Sequence, residues 1–199
     1  HDATFTPSYI RFALAMSLAR LRTDYIDLLQ LHNPPLQQIS ALETYGVLED
    51  LKREGLIRAY GVSVHSPEEG LVAIQSTMPD TVQLVYNLAR REAEPRFFPA
   101  ARAANVGVIV REPLANGFLA GRYIEGSTWV RGDIRSLMPR QYVGQLVTLG
   151  RRVRELAGRT DSTPAQLALR FVLDNAGVAT VIVGTKNVTQ ANENFAVET

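Results

Sequence analysis

The chain has 199 residues, 46% of them hydrophobic, which is long enough for one domain with a sizeable core. Its 21 lysines and arginines nearly balance 20 acidic residues, and a net charge of +1 argues against a nucleic-acid partner or an anionic membrane surface. The absence of cysteine excludes disulfides, thiolate catalysis and cysteine-ligated metals.

Helical and strand patterns alternate along the chain. Apolar residues at helical spacing after Thr6 and Pro7 predict a helix at residues 7–21, and the apolar run that follows predicts a strand at 25–31. The further predicted elements are helix 41–54, strand 57–63, a helix capped by Ser66, strand 81–86, helix 95–105, strand 106–111, helices 144–157 and 163–174, strand 179–183 and helix 188–196.

The alternation is interrupted at residues 112–145, a segment rich in glycine, proline, arginine and serine. Connections of this length are uncommon in compact domains and are typical of functional loops. We therefore expect residues 112–145 to form a mobile loop with a functional role.

Five largely apolar strands alternating with helices predict an α/β protein with a parallel sheet covered on both faces. A doubly wound dinucleotide fold would usually carry G-x-G-x-x-G after its first strand, and the sequence has no such pattern. The prediction is therefore a parallel (β/α)8 barrel of the TIM type, represented here by about five strands. No linker or low-complexity run divides the chain, so we treat residues 1–199 as a single domain.

Barrel enzymes carry their functional groups at the carboxyl ends of the strands. The predicted strands end in polar residues, namely Gln30, His32, Asn33, Ser63, His65, Gln83, Asn87, Arg111, Glu112, Thr185 and Lys186. No metal site is expected, because the three histidines at positions 1, 32 and 65 have no second ligand at a recognisable spacing.

Several of these groups allow two interpretations. His32 is either a structural histidine bonded to a backbone carbonyl or a neutral imidazole that polarises a substrate carbonyl, whereas His65 is typical of a loop. Arg111 and Glu112 either pair with each other, or the guanidinium stacks on an aromatic ligand ring. The sequence GTKN at 184–187, before the last helix, predicts either a phosphate cradle or an ordinary solvated turn.

Taken together, the segments TDYIDLLQLHNP, LEDLKREGLIRAYGVSVHS, VQLVYN, GVIVREPLANGFLAGRY and VIVGTKNVTQANENF resemble the aldo-keto reductases over nearly the whole chain. That family is an (α/β)8 barrel that binds NADPH without a dinucleotide-binding domain of the G-x-G-x-x-G type and reduces aldehydes or ketones. The resemblance implies an NADP-dependent enzyme acting on a small-molecule carbonyl substrate, with no nucleic-acid or membrane partner, and we expect it to be cytoplasmic.

The resemblance also implies roles for single residues at the strand ends. His32 matches the active-site histidine that, with a tyrosine, binds the substrate carbonyl oxygen. Ser63 and Gln83 match the groups that hold the nicotinamide carboxamide, although Val64 stands where an asparagine is common. Arg111 stands where many members stack an aromatic ring on the nicotinamide.

The rest of the implied cofactor site lies in the last third of the chain. The loop that covers the pyrophosphate is matched by Leu114, Ala115 and Gly117. The segment that grips the 2′-phosphate and adenine is matched by Gly184, Thr185, Lys186, Gln190 and Asn194. Relatives often have arginine at position 190 and lysine at position 184, which leaves Lys186 as the main cation and favours NADP over NAD.

The five strands resemble the fourth to eighth strands of the family's barrel. The first three, which carry the catalytic aspartate, tyrosine and lysine, have no counterpart in this sequence, so His32 alone represents the catalytic tetrad. Tyr86 falls on the opposite face from Gln83 and is not assigned as the missing acid. We expect a second chain or an oligomer to close the barrel. The alternatives are a lyase or cyclase using His32 as a base, and a non-redox or regulatory cofactor-binding protein.

Overall fold

The computed structural model describes residues 5–197, and its helices and strands alternate as expected. In chain order they are α1 (Pro7–Leu21), β1 (Ile26–His32), α2 (Leu36–Ile39), α3 (Leu42–Arg53), β2 (Ile57–Ser63), α4 (Pro67–Thr77), β3 (Thr81–Val85), α5 (Phe97–Ala103), β4 (Gly107–Arg111), two 3₁₀ helices (Ala115–Ala120 and Ile134–Leu137), α6 (Arg140–Ala157), α7 (Pro164–Leu173), β5 (Thr180–Val181) and α8 (Val188–Phe195).

The five strands form one sheet in the order β1-β2-β3-β4-β5. β1 pairs parallel with β2, and β2 pairs parallel with β3. Each strand therefore lies beside the next one in the chain, and the order has no switch point of the kind that a doubly wound sheet requires. The predicted fold class, an α/β protein of the parallel barrel type represented by five strands, is confirmed.

Local capping explains where several helices begin. The Thr6 hydroxyl accepts a hydrogen bond from the Tyr9 amide at 3.4 Å, and Pro7 is the first residue of α1, as the sequence predicted. Ser66 caps α4 in the same way, and Thr163 with Gln166 forms a reciprocal capping box at α7. These polar side chains satisfy backbone amides that would otherwise lack a partner.

Three elements differ from the prediction. α6 begins at Arg140 rather than at residue 144, because Tyr142 and Val143 pack against a hydrophobic cluster and extend the helix by a turn. α2 has only four residues, too few for a periodic pattern to be recognised. β5 has two residues, and the Ile182 amide just beyond it donates to the Val110 carbonyl at 2.9 Å.

The chain divides into two compact units, one of residues 1–84 and 93–109 and the other of residues 85–92 and 110–199. That residues 1–199 form a single domain stays a prediction. Within residues 5–197, none of the helices has the length and apolar character needed to cross a bilayer.

In the first unit, a polar clamp joins α3 to the amino ends of β2 and β3. The Lys52 ammonium contacts both carboxylate oxygens of Asp80, at 2.8 and 2.9 Å, and Asp80 also accepts the Tyr60 amide. The Tyr60 hydroxyl donates to Glu49 at 2.7 Å, and burial, followed by this acceptor, raises the pKa of Tyr60 well above its ordinary value. This end of the sheet is therefore held by partly buried hydrogen bonds, while its opposite end carries the strand-end polar residues.

In the second unit, the first 3₁₀ helix packs directly on α6. Phe118 and Leu119 are buried against Leu146 and Val153 of that helix. Gly150 allows the approach, because a Cβ atom at that position would lie 2.3 Å from the Phe118 carbonyl oxygen. The loop that precedes α6 is thus seated on the helix by close contact with its backbone.

Replacing Gly150 with alanine should destabilise the protein by about 1 to 3 kcal/mol, because backbone atoms would have to move to admit the methyl group. Gly144→Ala is a matched control on the same helix, since a Cβ there meets nothing within 4 Å. The control should stabilise the protein by about 0.5 to 1 kcal/mol through helix propensity. Chemical denaturation measures both, and equal effects would contradict the contact with the Phe118 carbonyl.

Candidate functional site

The last residues of β1 and β2 and the middle residue of β3 bring three of the predicted site residues into one row. His32 pairs in register with Ser63, and Ser63 pairs in register with Gln83. Residues opposite each other in a parallel sheet present their side chains on the same face. An imidazole, a hydroxyl and an amide therefore stand side by side at this end of the first unit.

A chain of short polar contacts links this row through Asn33, the residue after β1. The Asn33 Nδ2 atom lies 3.3 Å from Nε2 of His32, and the Ser63 hydroxyl lies 3.2 Å from Oδ1 of Asn33. The same hydroxyl lies 3.4 Å from Oε1 of Gln83. Asn33 has a φ of 49°, a left-handed conformation that asparagine tolerates better than most residues. The sequence placed Asn33 at a strand end without assigning it a role, and its contacts with His32 and Ser63 now suggest one.

Ser63 has one hydroxyl hydrogen for two amide oxygens. A serine donates a single hydrogen bond, so it serves either Asn33 or Gln83 at any moment. The other amide oxygen is then available to a donor from a ligand. Ser63 itself is only 2% exposed, whereas Asn33 and Gln83 are half-buried, so the second amide oxygen is partly shielded from water and open to a ligand.

The contact with Asn33 also bears on the tautomer of the His32 ring. An amide nitrogen only donates, so a hydrogen bond from Asn33 requires the tautomer with the ring hydrogen on Nδ1, in which Nε2 accepts. His32 is exposed at the strand end, within reach of a ligand. To donate to a ligand oxygen, Nε2 must release Asn33 and gain a hydrogen through a change of tautomer. Val64, the next residue after β2, is fully buried and contributes no polar side chain.

In the second unit, a cavity of about 460 Å³ is lined by seven of the predicted cofactor-site residues. They are Leu114, Gly117, Gly184, Thr185, Lys186, Gln190 and Asn194. Ala115 does not line it but is buried in the hydrophobic cluster beneath the loop. The structure thus brings together two segments that lie about seventy residues apart in the sequence.

Each wall of this cavity is shaped by local hydrogen bonds. On one side, Asn116 and Gly117 have φ values of 55° and 89°, which turn the loop back. On the other side, the Asn187 side chain caps α8 by accepting the Gln190 amide at 2.9 Å. The Gln190 side chain in turn accepts the Lys186 amide at 2.9 Å. The backbone around Lys186 is therefore held in place at the start of α8.

The cavity contains both signs of charge, and most of its charged groups are paired. Arg122 lies 3.9 Å from Glu193, and Arg135 is paired with Asp133. Lys186 is exposed, and no ion pair of its ammonium group is found among residues 5–197. It is therefore the cation of this cavity best placed to meet an anionic ligand. The sequence missed Glu193, which only the packing of α8 brings to the cavity.

Arg111 and Glu112 form the pair that the sequence allowed, with 3.6 Å between Nη1 and Oε1. The second carboxylate oxygen of Glu112 accepts a hydrogen bond from the Asn116 side chain at 3.0 Å. Glu112 thus connects the end of β4 to the loop that lines the cavity. Stacking of Arg111 on a ligand ring stays a prediction.

Tyr86 is a buried residue that packs within the second unit. It is 2% exposed, its hydroxyl accepts a hydrogen bond from the Asn175 side chain at 3.1 Å, and its ring stacks on Phe171. Asn87 is also buried, and its side chain donates to the Glu112 carbonyl at 2.9 Å. These contacts agree with leaving Tyr86 out of the catalytic set. In the part of the chain that the structure describes, no three His, Asp or Glu side chains cluster in a way that could hold a metal ion.

Comparison with known proteins gives a consistent result. The family model described as the aldo/keto reductase family matches residues 1–199. Aldo-keto reductase yakc [NADP(+)] of Schizosaccharomyces pombe is 31% identical, over 95% of this chain and 57% of its own length. The NADH-specific methylglyoxal reductase of Escherichia coli is 30% identical, over 96% of this chain and 60% of its own length.

Solved structures show the same similarity. The glycerol dehydrogenase AKR11B4 from Gluconobacter oxydans matches 98% of this chain with a TM-score of 0.84 and 29% identity. The match covers 60% of that protein. The chain therefore spans less than two thirds of the length of each of these proteins.

Replacing Asn33 with glycine should remove the donor to His32 while keeping the left-handed backbone. We expect the ring to lose its preference for the tautomer with hydrogen on Nδ1, and ¹⁵N shifts of the imidazole nitrogens measure this. Asn105→Gly is a control at a second left-handed asparagine, which is exposed. An unchanged His32 tautomer in the Asn33 variant would contradict the contact.

Proposed function

This chain belongs to the aldo/keto reductase family, and we propose that it forms the larger part of an oxidoreductase that reduces an aldehyde or ketone with NADPH. Its relatives include reductases and a dehydrogenase by name. Because the chain spans only part of their length, the activity of the whole protein is a proposal. We also propose that the protein is cytoplasmic.

The observation that carries the proposal is the cavity of the second unit. Its lining combines glycines, a hydroxyl and amides with an exposed ammonium at the start of α8. An ammonium group and helix amino-terminal amides both favour a phosphate oxygen. These residues fit the phosphates and adenine of a dinucleotide.

The strand-end row of the first unit fits the carboxamide of a nicotinamide. The single hydrogen of Ser63 leaves either Asn33 or Gln83 with an amide oxygen that can accept. The carboxamide of a nicotinamide carries two N–H donors, and one of them would satisfy that oxygen. The bound nicotinamide would supply the hydride, while these residues orient its ring.

His32 is proposed to act on the substrate. Reduction of a carbonyl places negative charge on its oxygen, which must be met by a hydrogen-bond donor. His32 would release Asn33, change to the tautomer with its hydrogen on Nε2 and donate a hydrogen bond to that oxygen. The proton itself is expected from an acid in the family's first three strand–helix units.

The first unit offers a surface on which further strands could dock. The outer edge of β1 has no strand partner within the described sheet, and α1 exposes Tyr9, Phe12 and Met16 at helical spacing. An open strand edge and an apolar helix face are both unfavourable in water. We propose that further strands cover them, supplied by the same polypeptide or by a second chain.

The proposed reaction is tested by NADPH-dependent reduction of ketones and aldehydes with and without the three further units. The 199 residues alone should be nearly inactive, and activity should appear when the units are supplied. His32→Ala should then lower kcat about 10² to 10⁴-fold, while His65→Ala, at an exposed residue, should not. Turnover of about 1 s⁻¹ or more by the 199 residues alone would contradict our placement of the acid, and a fully supplied protein without reductase activity would favour a non-redox role.

Lys186→Ala should weaken NADPH binding by about 1.5 to 3 kcal/mol and leave NADH binding nearly unchanged, because only NADPH carries the 2′-phosphate. Lys186→Arg keeps the charge and should retain most of the affinity. Fluorescence titration with each cofactor measures the affinities of the wild type and of both variants. Equal losses for the two cofactors would refute the assignment of Lys186 to the 2′-phosphate.

A further inference from the structure

Arg135 is almost buried in the middle of the long loop before α6. Its side chain is 12% exposed and is paired with Asp133, with 2.8 Å between Nε and Oδ1. The guanidinium lies over the ring of Tyr123 at 4.9 Å and near the ring of Trp129 at 5.9 Å. A planar cation between a carboxylate and aromatic faces is strongly held.

From this position Arg135 reaches the loop that lines the 460 Å³ cavity. Its Nη1 atom donates to the Asn116 carbonyl at 3.4 Å. Asn116 lies between Ala115 and Gly117 in a run of three consecutive residues with positive φ, a conformation that surrounding contacts must maintain. Arg135 and Tyr123 also line the cavity themselves.

Aromatic packing completes the connection. Phe118, next to Gly117, contacts Tyr123 at 5.0 Å and Trp129 at 5.7 Å between ring centroids. The rings that hold Arg135 are thus the rings against which the loop packs. A movement of the guanidinium would disturb both the loop carbonyl and its aromatic support.

We propose that Arg135 is a positioning residue that holds the cavity loop in place over a bound cofactor and so sets how fast the cofactor leaves. The inference rests on the proposed function, because the occupant of the cavity is taken to be the dinucleotide. Loops that close over ligands often determine the rate of product release. Arg135 acts through Asn116 and the aromatic rings, and it is not a catalytic residue.

Fluorescence can report on this contact, because Trp129 is the single tryptophan of these 199 residues. In the protein without cofactor, Arg135→Ala should increase acrylamide quenching of Trp129 fluorescence about twofold or more, since the ring loses its cover. Arg140→Ala, at an exposed arginine of the same segment, should leave quenching unchanged. Arg135→Lys keeps the charge but lacks the planar guanidinium, and its quenching should lie between that of Arg135→Ala and that of Arg140→Ala.

The second measurement is the release of NADPH, followed by stopped-flow fluorescence in the full protein. Arg135→Ala should release NADPH about tenfold or more faster than the wild type and Arg140→Ala, as expected for the loss of one charge-assisted contact. Where release limits turnover, kcat should rise together with KM for NADPH. A role in stability alone would lower the unfolding temperature without this change in release.

The outcomes separate the two proposals. If the wild type binds neither NADPH nor NADH, the proposed function fails, and this inference fails with it. If the wild type binds NADPH but Arg135→Ala and Arg140→Ala release it at the same rate, only the inference about Arg135 is overturned. Unchanged quenching of Trp129 in Arg135→Ala also overturns it, whatever the cofactor does.

Discussion

The parallel pairing of the carboxyl ends of β1 and β2 with the middle of β3 is the constraint on which the strand-end site depends. It sets residue 32 opposite 63 and residue 63 opposite 83, on one face of the sheet. A shift of one residue in either pairing would turn one of these side chains to the other face. The polar clamp of Lys52, Asp80 and Tyr60 at the opposite end helps to hold that register.

Within the row, there are fewer hydrogen-bond donors than acceptors, and this imbalance determines what a ligand can bind. Ser63 has one hydroxyl hydrogen for two amide oxygens, and Asn33 occupies the nitrogen of His32 that faces it. The arrangement leaves an acceptor for a ligand amide and an imidazole that can change partner. Such a site is ready to exchange internal hydrogen bonds for external ones at little cost.

In the cavity of the second unit, the ligand preference depends on which of the charged side chains are already paired. Arg122 lies near Glu193 and Arg135 is paired with Asp133, while Lys186 stands at the start of α8. Paired arginines shape the cavity and hold its loop, whereas an ammonium group with access to solvent can meet a phosphate. The proposed preference for NADPH therefore relies on Lys186 rather than on the total positive charge, which matters because one relative is NADH-specific by name.

The sequence by itself determined the strand order, most helix boundaries and the strand-end position of His32, Ser63 and Gln83, because apolar periodicity and capping residues act locally. Family motifs also identified seven of the residues that line the cavity. Only the tertiary structure decided that Asn33 bridges His32 and Ser63, that Glu193 reaches the cavity, and that Arg135 holds the loop. These contacts join residues brought together by chain turns and helix packing, and a local pattern carries no information about which distant atoms will lie within hydrogen-bonding distance.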